Sequence, residues 1–168
     1  MENSILTQLA FEPGRLTFKE VRYILIRPEV IAALHKGVAA EVGPEKCAEI
    51  MQVAGSVGGA KSSQRFKEIF GYNEQQIVEF MCKMGGEIGW GIFRLARFDL
   101  EQGQMVVEIS DSPFAAAYGP AESSVCHLIR GVMAGLGSGI FGGPVSAVET
   151  ACAAKGDACC RFEVEKIG

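Results

Sequence analysis

The spacing of apolar and polar residues divides the chain into segments of two periods. Residues 15–26 alternate and predict a strand or a short strand pair. At Arg27-Pro28-Glu29 the period changes. A proline in the first turn, with an acid beside the positive helix end, opens a helix that stops near Gly43-Pro44. A second helix starts at Pro44-Glu45, runs to about Gly59, and continues by pattern through Phe66, Ile69 and Phe70 to Gly71. Its small residues, Gly55-Ser56-Val57-Gly58-Gly59, let another backbone approach closely and mark tight internal packing. Asn73 caps a third helix, with Ile77, Phe80, Met81 and Met84 as an apolar stripe that either fills a core or lines a cavity. Residues 91–100 and 104–110 read as strands. Val125, Leu128, Ile129, Val132, Met133 and Leu136 then mark a helical face within residues 122–136, and residues 144–152 and 158–167 return as strands. The order β, α, α, α, β, β, α, β, β predicts an α+β fold, an antiparallel sheet with helices packed on one side.

Composition narrows the class. The 168 residues are expected to form one domain, 1–168, large enough for a sizeable core. Hydrophobic residues make up 48% of the chain, yet no uninterrupted apolar stretch approaches the ~18–20 residues that span a bilayer. The first residues, Met1 to Leu6, lack the basic region and apolar run of a signal peptide, so the expected location is cytoplasmic. A net charge of −4, with no Lys/Arg cluster interleaved with aromatics, argues against a nucleic-acid partner.

Six cysteines in a reducing compartment do not build a disulfide framework. Cys47 and Cys82 sit inside helical patterns as small buried hydrophobes. The other four crowd into the C-terminal part of the chain, and metal binding explains that asymmetry. Cys126, Glu149, Cys152 and Cys160 offer three thiolates and a carboxylate, a tetrahedral set for Zn²⁺ that leaves no open position for catalysis. Strand parity separates the adjacent pair: Cys160 shares a face with Phe162 and Val164, whereas Cys159 shares one with Arg161 and Glu163. Two other readings stay open at this point. The cysteines are buried and structural beside an ordinary surface glutamate, or His127 is the fourth ligand, although helix neighbours Cys126 and His127 point about 100° apart. A Cys₃Glu set on Zn²⁺ carries two excess negative charges, for Lys155, Arg161, Arg130 or backbone N–H groups to offset.

The stretches S-D-S-P-F-A-A-A-Y-G (110–119), V-C-H-L-I-R-G-V-M-A-G (125–135) and V-E-T-A-C-A-A-K-G-D-A-C-C-R-F-E-V (148–164) resemble the 4-vinyl reductase, or hydrocarbon-binding, domain family. The resemblance extends back through I-G-W-G-I-F (88–93) and R-P-E-V-I (27–31), most of the chain. It implies a four-stranded (or slightly larger) antiparallel sheet covered by helices, similar to vesicle-tethering (TRAPP) subunits, often dimeric and holding a small apolar ligand. In the related sensor domains of aromatic-catabolism activators, a Cys, Glu, Cys, Cys set binds structural zinc beside the ligand pocket. Carried over by position, these are Cys126, Glu149, Cys152 and Cys160, placing the zinc-binding part at 122–168. The His and Trp that hold the phenol hydroxyl in those sensors have no counterparts at His35 and Trp90, and the Trp position falls in apolar Met105-Val106-Val107. A more apolar ligand is the expectation.

An enzyme reading is tested by the residues. Gly137-Ser138-Gly139-Ile140-Phe141-Gly142 matches a dinucleotide string, but it follows a helix and precedes Pro144, so it reads as a helix end and loop. Neither a Ser/His/Asp arrangement nor a Cys-x-x-Cys pair is present. The expected function is therefore a stand-alone, non-enzymatic, zinc-stabilised homodimer that binds a small hydrophobic or aromatic molecule as sensor or carrier, without an output domain of its own. Candidate lining residues are Phe80, Met84, Trp90, Phe93, Phe114, Tyr118 and Met133. The alternatives are a dimeric TRAPP-like adaptor, and an accessory protein or reductase of vinyl tetrapyrrole metabolism.

Overall fold

Helix signals written into the chain set most element boundaries. In the computed structural model, which describes residues 5–168, α1 (Pro28–Val42) and α2 (Pro44–Phe70) each begin on the proline. Residues 1–4, where the signal-peptide argument and the start of the 1–168 domain fall, lie outside the described residues. Gly43, at φ 84°, turns the chain between α1 and α2, and Gly71, at φ 65°, closes α2 in the left-handed region that costs glycine least. Asn73 starts α3 (Glu74–Glu87) with a capping box. Its side chain accepts from the Gln76 N–H at 3.0 Å, and the Gln76 side chain accepts from the Asn73 N–H at 3.0 Å.

Two sheets form. The main sheet contains β4 (Ile92–Asp99), β5 (Gln104–Ser110), β6 (Val145–Ala151) and β7 (Cys160–Lys166), all antiparallel in the order β4-β5-β7-β6. The alternating segment near the N-terminus does not join it. It folds with preceding residues into a separate three-stranded sheet of β1 (Ala10–Glu12), β2 (Arg15–Phe18) and β3 (Val21–Tyr23). The two-residue link Lys19-Glu20 has both φ values positive (46° and 66°), the geometry whose twist matches a tight hairpin.

The helices pack on one face of the main sheet, giving the expected α+β, TRAPP-like fold. Inward residues Met105, Val107, Ile109, Phe162 and Val164 meet α5 (His127–Phe141), and α3 covers β4. Behind α5 lies α2, so close that glycines alternate across the contact. A Cβ on Gly55 would stand 2.0 Å from the Leu128 carbonyl oxygen, and one on Gly131 2.1 Å from that of Gln52. Pattern placed a helical face from residue 122. The helix begins only at His127, because residues 122–125 form an irregular approach in which Val125 is buried without helical geometry. A short helix, α4 (Pro113–Tyr118), capped by the Ser112 hydroxyl, fills the connection after β5.

Candidate metal centre and ligand cavity

The α5 start, the end of β6 and the start of β7 bring four donors together. One ligand atom from each of Cys126, Glu149, Cys152 and Cys160 lies within 4.8 Å of the others, and all four residues are buried. Strand parity places Cys160 inward with Phe162 and Val164, while Cys159 is half-buried just outside the strand. Glu149 and Cys152 need more. They are three apart, so a regular strand would send them to opposite faces. A bulge corrects this: Glu149 pairs with Phe162 and Ala151 with Arg161, leaving Thr150 as an extra residue. Glu149 and Cys152 therefore both face inward, 8% and 0% exposed.

The donor set fits a cation. The Cys126 and Cys160 sulfurs are 3.6 Å apart, far beyond a disulfide and near the roughly 3.8 Å between two thiolates on one tetrahedral zinc. One carboxylate oxygen of Glu149 accepts from the Cys126 N–H at 3.0 Å, but the other is buried with no partner. A buried oxygen left unpaired costs about 1–3 kcal/mol, a cost that a coordinated ion removes. Crowding of acids shifts their protons. Burial pushes the Glu149 carboxyl up to about 8, with Cys152 adding to the shift. Cys152 is pulled down by hydrogen bonds from Cys126 and Cys160, and those bonds push Cys126 up. Cys160, pulled down by Cys126 but pushed up more by Cys152 and burial, reaches about 11. These four side chains can coordinate a metal, and in doing so they trade shared protons for an ion.

Backbone dipoles, not the named cations, stand closest to this negative charge. Cys126 is the residue before α5, so the cluster sits at a helix N-terminus. The Ala153 N–H donates to the Cys160 sulfur at 3.4 Å. Lys155 instead faces Asp157 at 3.6 Å, which accepts from the Cys152 N–H at 2.8 Å, and Arg161 pairs with Glu163 and Glu108. The Arg130 Nε is buried and unpaired one turn along α5. His127 is not in the cluster. It stacks 5.3 Å from His35, and burial pushes it down to about 4.

A separate apolar cavity of about 190 Å³ lies between α2, α3, β4 and α5. Of the seven lining candidates, Met84, Trp90, Phe93 and Met133 line it. Phe80 does not. It joins an aromatic cluster with Phe18, Phe66, Phe70 and Tyr72. Phe114 sits edge-on to Trp90 at 5.2 Å behind the wall, and Tyr118 packs on His35 at 4.9 Å. A stripe's period reports that Phe80 is covered, not by what. Sequence reasoning missed Tyr23, Ser62, Cys82 and Val132, which also line the cavity. Val132 was legible as part of the α5 face, but nothing local marks Tyr23 or Ser62, since they meet it from other elements.

Residues 105–166 match the sequence profile of the 4-vinyl reductase domain. Among curated protein sequences none matches. Three solved structures share the fold. The phenol-responsive sensory domain of the transcription activator PoxR, solved with phenol, aligns at TM-score 0.84 and 20% identity, over 96% of this chain and 86% of that one. A trafficking protein particle complex subunit 3 from Naegleria fowleri, covalently bound to palmitic acid, aligns at 0.56 and 12%, over 82% and 93%. A vinyl-4-reductase family protein from Methanocaldococcus jannaschii aligns at 0.51 and 18%, over 89% and 86%. No helix among the described residues is long and apolar enough to cross a membrane.

Proposed function

The chain belongs, through its residues 105–166, to the 4-vinyl reductase domain family, and on that premise we propose that it is a binding module for a small hydrophobic or aromatic molecule, acting as sensor or carrier. The observation that carries this reading is the cavity. At about 190 Å³ it exceeds the ~150 Å³ engineered void known to take up benzene, so it suits one aromatic ring with a short substituent. The likeness to a sensory domain solved with phenol supports the same class of guest.

Reading the chain as a binder and not an enzyme rests on the lining. Among the described residues, no carboxylate, histidine, lysine or arginine lines the cavity, and burial pushes the one thiol, Cys82, up to about 11. Such a wall offers no acid or base at neutral pH. A reductase of vinyl tetrapyrroles is disfavoured by size, because this cavity holds one ring and not a four-ring macrocycle.

In this proposal Cys126, Glu149, Cys152 and Cys160 hold structural Zn²⁺. The ion would tie the β6–β7 hairpin to the start of α5, and its four protein donors would leave no water ligand. Residues 1–168 would form one such domain, its six free thiols suiting a reducing compartment such as the cytoplasm. A homodimer is supported by exposed apolar stripes: Val30 and Leu34 on α1, Ile50, Val53 and Val57 on α2, and Leu25, 91% exposed, before α1. These stripes also favour the adaptor reading, in which the dimer surface is the function.

Trp90, the single tryptophan, lines the cavity and is its own reporter. Titration of the purified chain with ethylbenzene is expected to change Trp90 fluorescence saturably, and Val132→Phe, which fills the cavity, to abolish the change. Native mass spectrometry is expected to read a dimer with one zinc per chain. Absence of any saturable response would overturn the binder in favour of the adaptor.

A further inference from the structure

The cavity does not end at its apolar wall. Tyr23 and Ser62 line it on one side and, on the other, line an outer chamber of about 310 Å³ between β3 and the C-terminal turns of α2. The chemistry changes across that pair. The outer chamber adds Lys61, Gln64, Arg65 and Glu68, two cations against one carboxylate.

Its acceptors are taken and its donors are not. The Gln64 side-chain amide donates to Glu68 at 2.9 Å. Arg65 spends one terminal nitrogen on the β2–β3 turn, 3.1 Å from the Glu20 carboxylate, and leaves its Nε buried without a partner. Among the described residues, the Lys61 ammonium and the Tyr23 and Ser62 hydroxyls have no hydrogen-bond partner. Burial raises the Tyr23 phenol, which keeps it a donor. An amine placed here would face Lys61, and an alcohol would bring a proton where donors already abound. A carboxylate accepts from all sides and donates nothing.

From this arrangement we propose that the guest is an amphipathic monocarboxylate, its aryl or alkyl body in the inner cavity and its carboxylate in the outer chamber beside Lys61, Arg65, Tyr23 and Ser62. The proposal rests on the inner cavity being a binding site, and it adds the polar end of the guest and the direction in which it points. The carboxylate then lies against both α2 and the small N-terminal sheet, so binding couples the two.

The test compares 4-phenylbutanoate, 4-phenylbutan-1-ol and butylbenzene on the full chain at neutral pH by Trp90 fluorescence. Charge-assisted hydrogen bonds make the carboxylate about ten-fold tighter than either neutral probe. That preference is expected to collapse in Lys61→Ala and to shrink with added salt. Lys61 is exposed and makes no ion pair, so butylbenzene binding by Lys61→Ala stays unchanged and reports an intact cavity. Equal affinity for the three probes, or a carboxylate preference that survives both Lys61→Ala and salt, overturns the polar-end assignment while leaving the cavity reading intact. Failure of butylbenzene and 4-phenylbutanoate alike overturns both.

Discussion

Replacing Gly135 with alanine tests how closely α2 and α5 must approach. A Cβ there would stand 2.1 Å from the Ser56 carbonyl oxygen and 2.7 Å from the Ala60 nitrogen. Carbon and oxygen meet comfortably at about 3.3 Å, so the helices must part by roughly 1 Å. Backbone cannot swing aside as a side chain does, and the displaced contact repeats along the ladder at Gly55, Gly59 and Gly131. Two effects of opposite sign compete. Alanine gains ~1 kcal/mol of helix propensity over glycine. Overpacking costs ~1–3 kcal/mol, the upper end applying where nothing can yield. The expected net loss is about 2 kcal/mol, a fall of about 1 M in urea midpoint at a slope of ~2 kcal/mol/M. Gly37→Ala in α1 is the control. Its Cβ meets nothing within 4 Å, so propensity acts alone and stability rises by ~0.5–1 kcal/mol. Urea unfolding followed by circular dichroism reads both. Two variants moving together, Gly135→Ala included among the stabilised, would refute the close-approach argument. Because Gly58 and Ser62 on α2 and Val132 and Met133 on α5 line the cavity, Gly135→Ala is also expected to weaken ethylbenzene binding.

Other perturbations probe the site. Deleting Thr150 removes the bulge, so Glu149 or Cys152 must leave the inner face; zinc content is expected to fall well below one per chain, and an unchanged content would sink the parity argument. Metal affinity is expected to rise with pH between 6 and 8. The metal-free cluster holds protons, on Glu149 up to about 8 and Cys160 up to about 11, that the ion must displace, so acid favours release. Competition with a chelator at three pH values checks the sign, and a flat profile would contradict it. Cys82, pushed up to about 11 by burial and the nearby Glu79, should alkylate at pH 8 about 100-fold more slowly than a thiol of pKa 9. Labelling followed by peptide mass spectrometry measures this, and rapid modification would count against it.

Local signals were enough wherever a residue's effect ends within a turn or a strand repeat. Pro28, Pro44 and Asn73 start helices through their own backbone chemistry, and Gly43 and Gly71 end them for the same reason. Alternation placed Cys160 inward because parity is a property of one strand. The strand ladder, the helix faces and the four-donor set were therefore legible in the chain. Tertiary structure decided what those faces meet. It sent the first strands into their own sheet, delayed α5 to His127 so that Cys126 stands at the helix entrance, and inserted the Thr150 bulge that turns Glu149 and Cys152 the same way. It also drew Phe80 into an aromatic cluster and brought Tyr23 and Ser62 to the cavity mouth. Periodicity records that a side chain is covered. Its neighbours come from segments tens of residues away, and only packing of the whole chain chooses them.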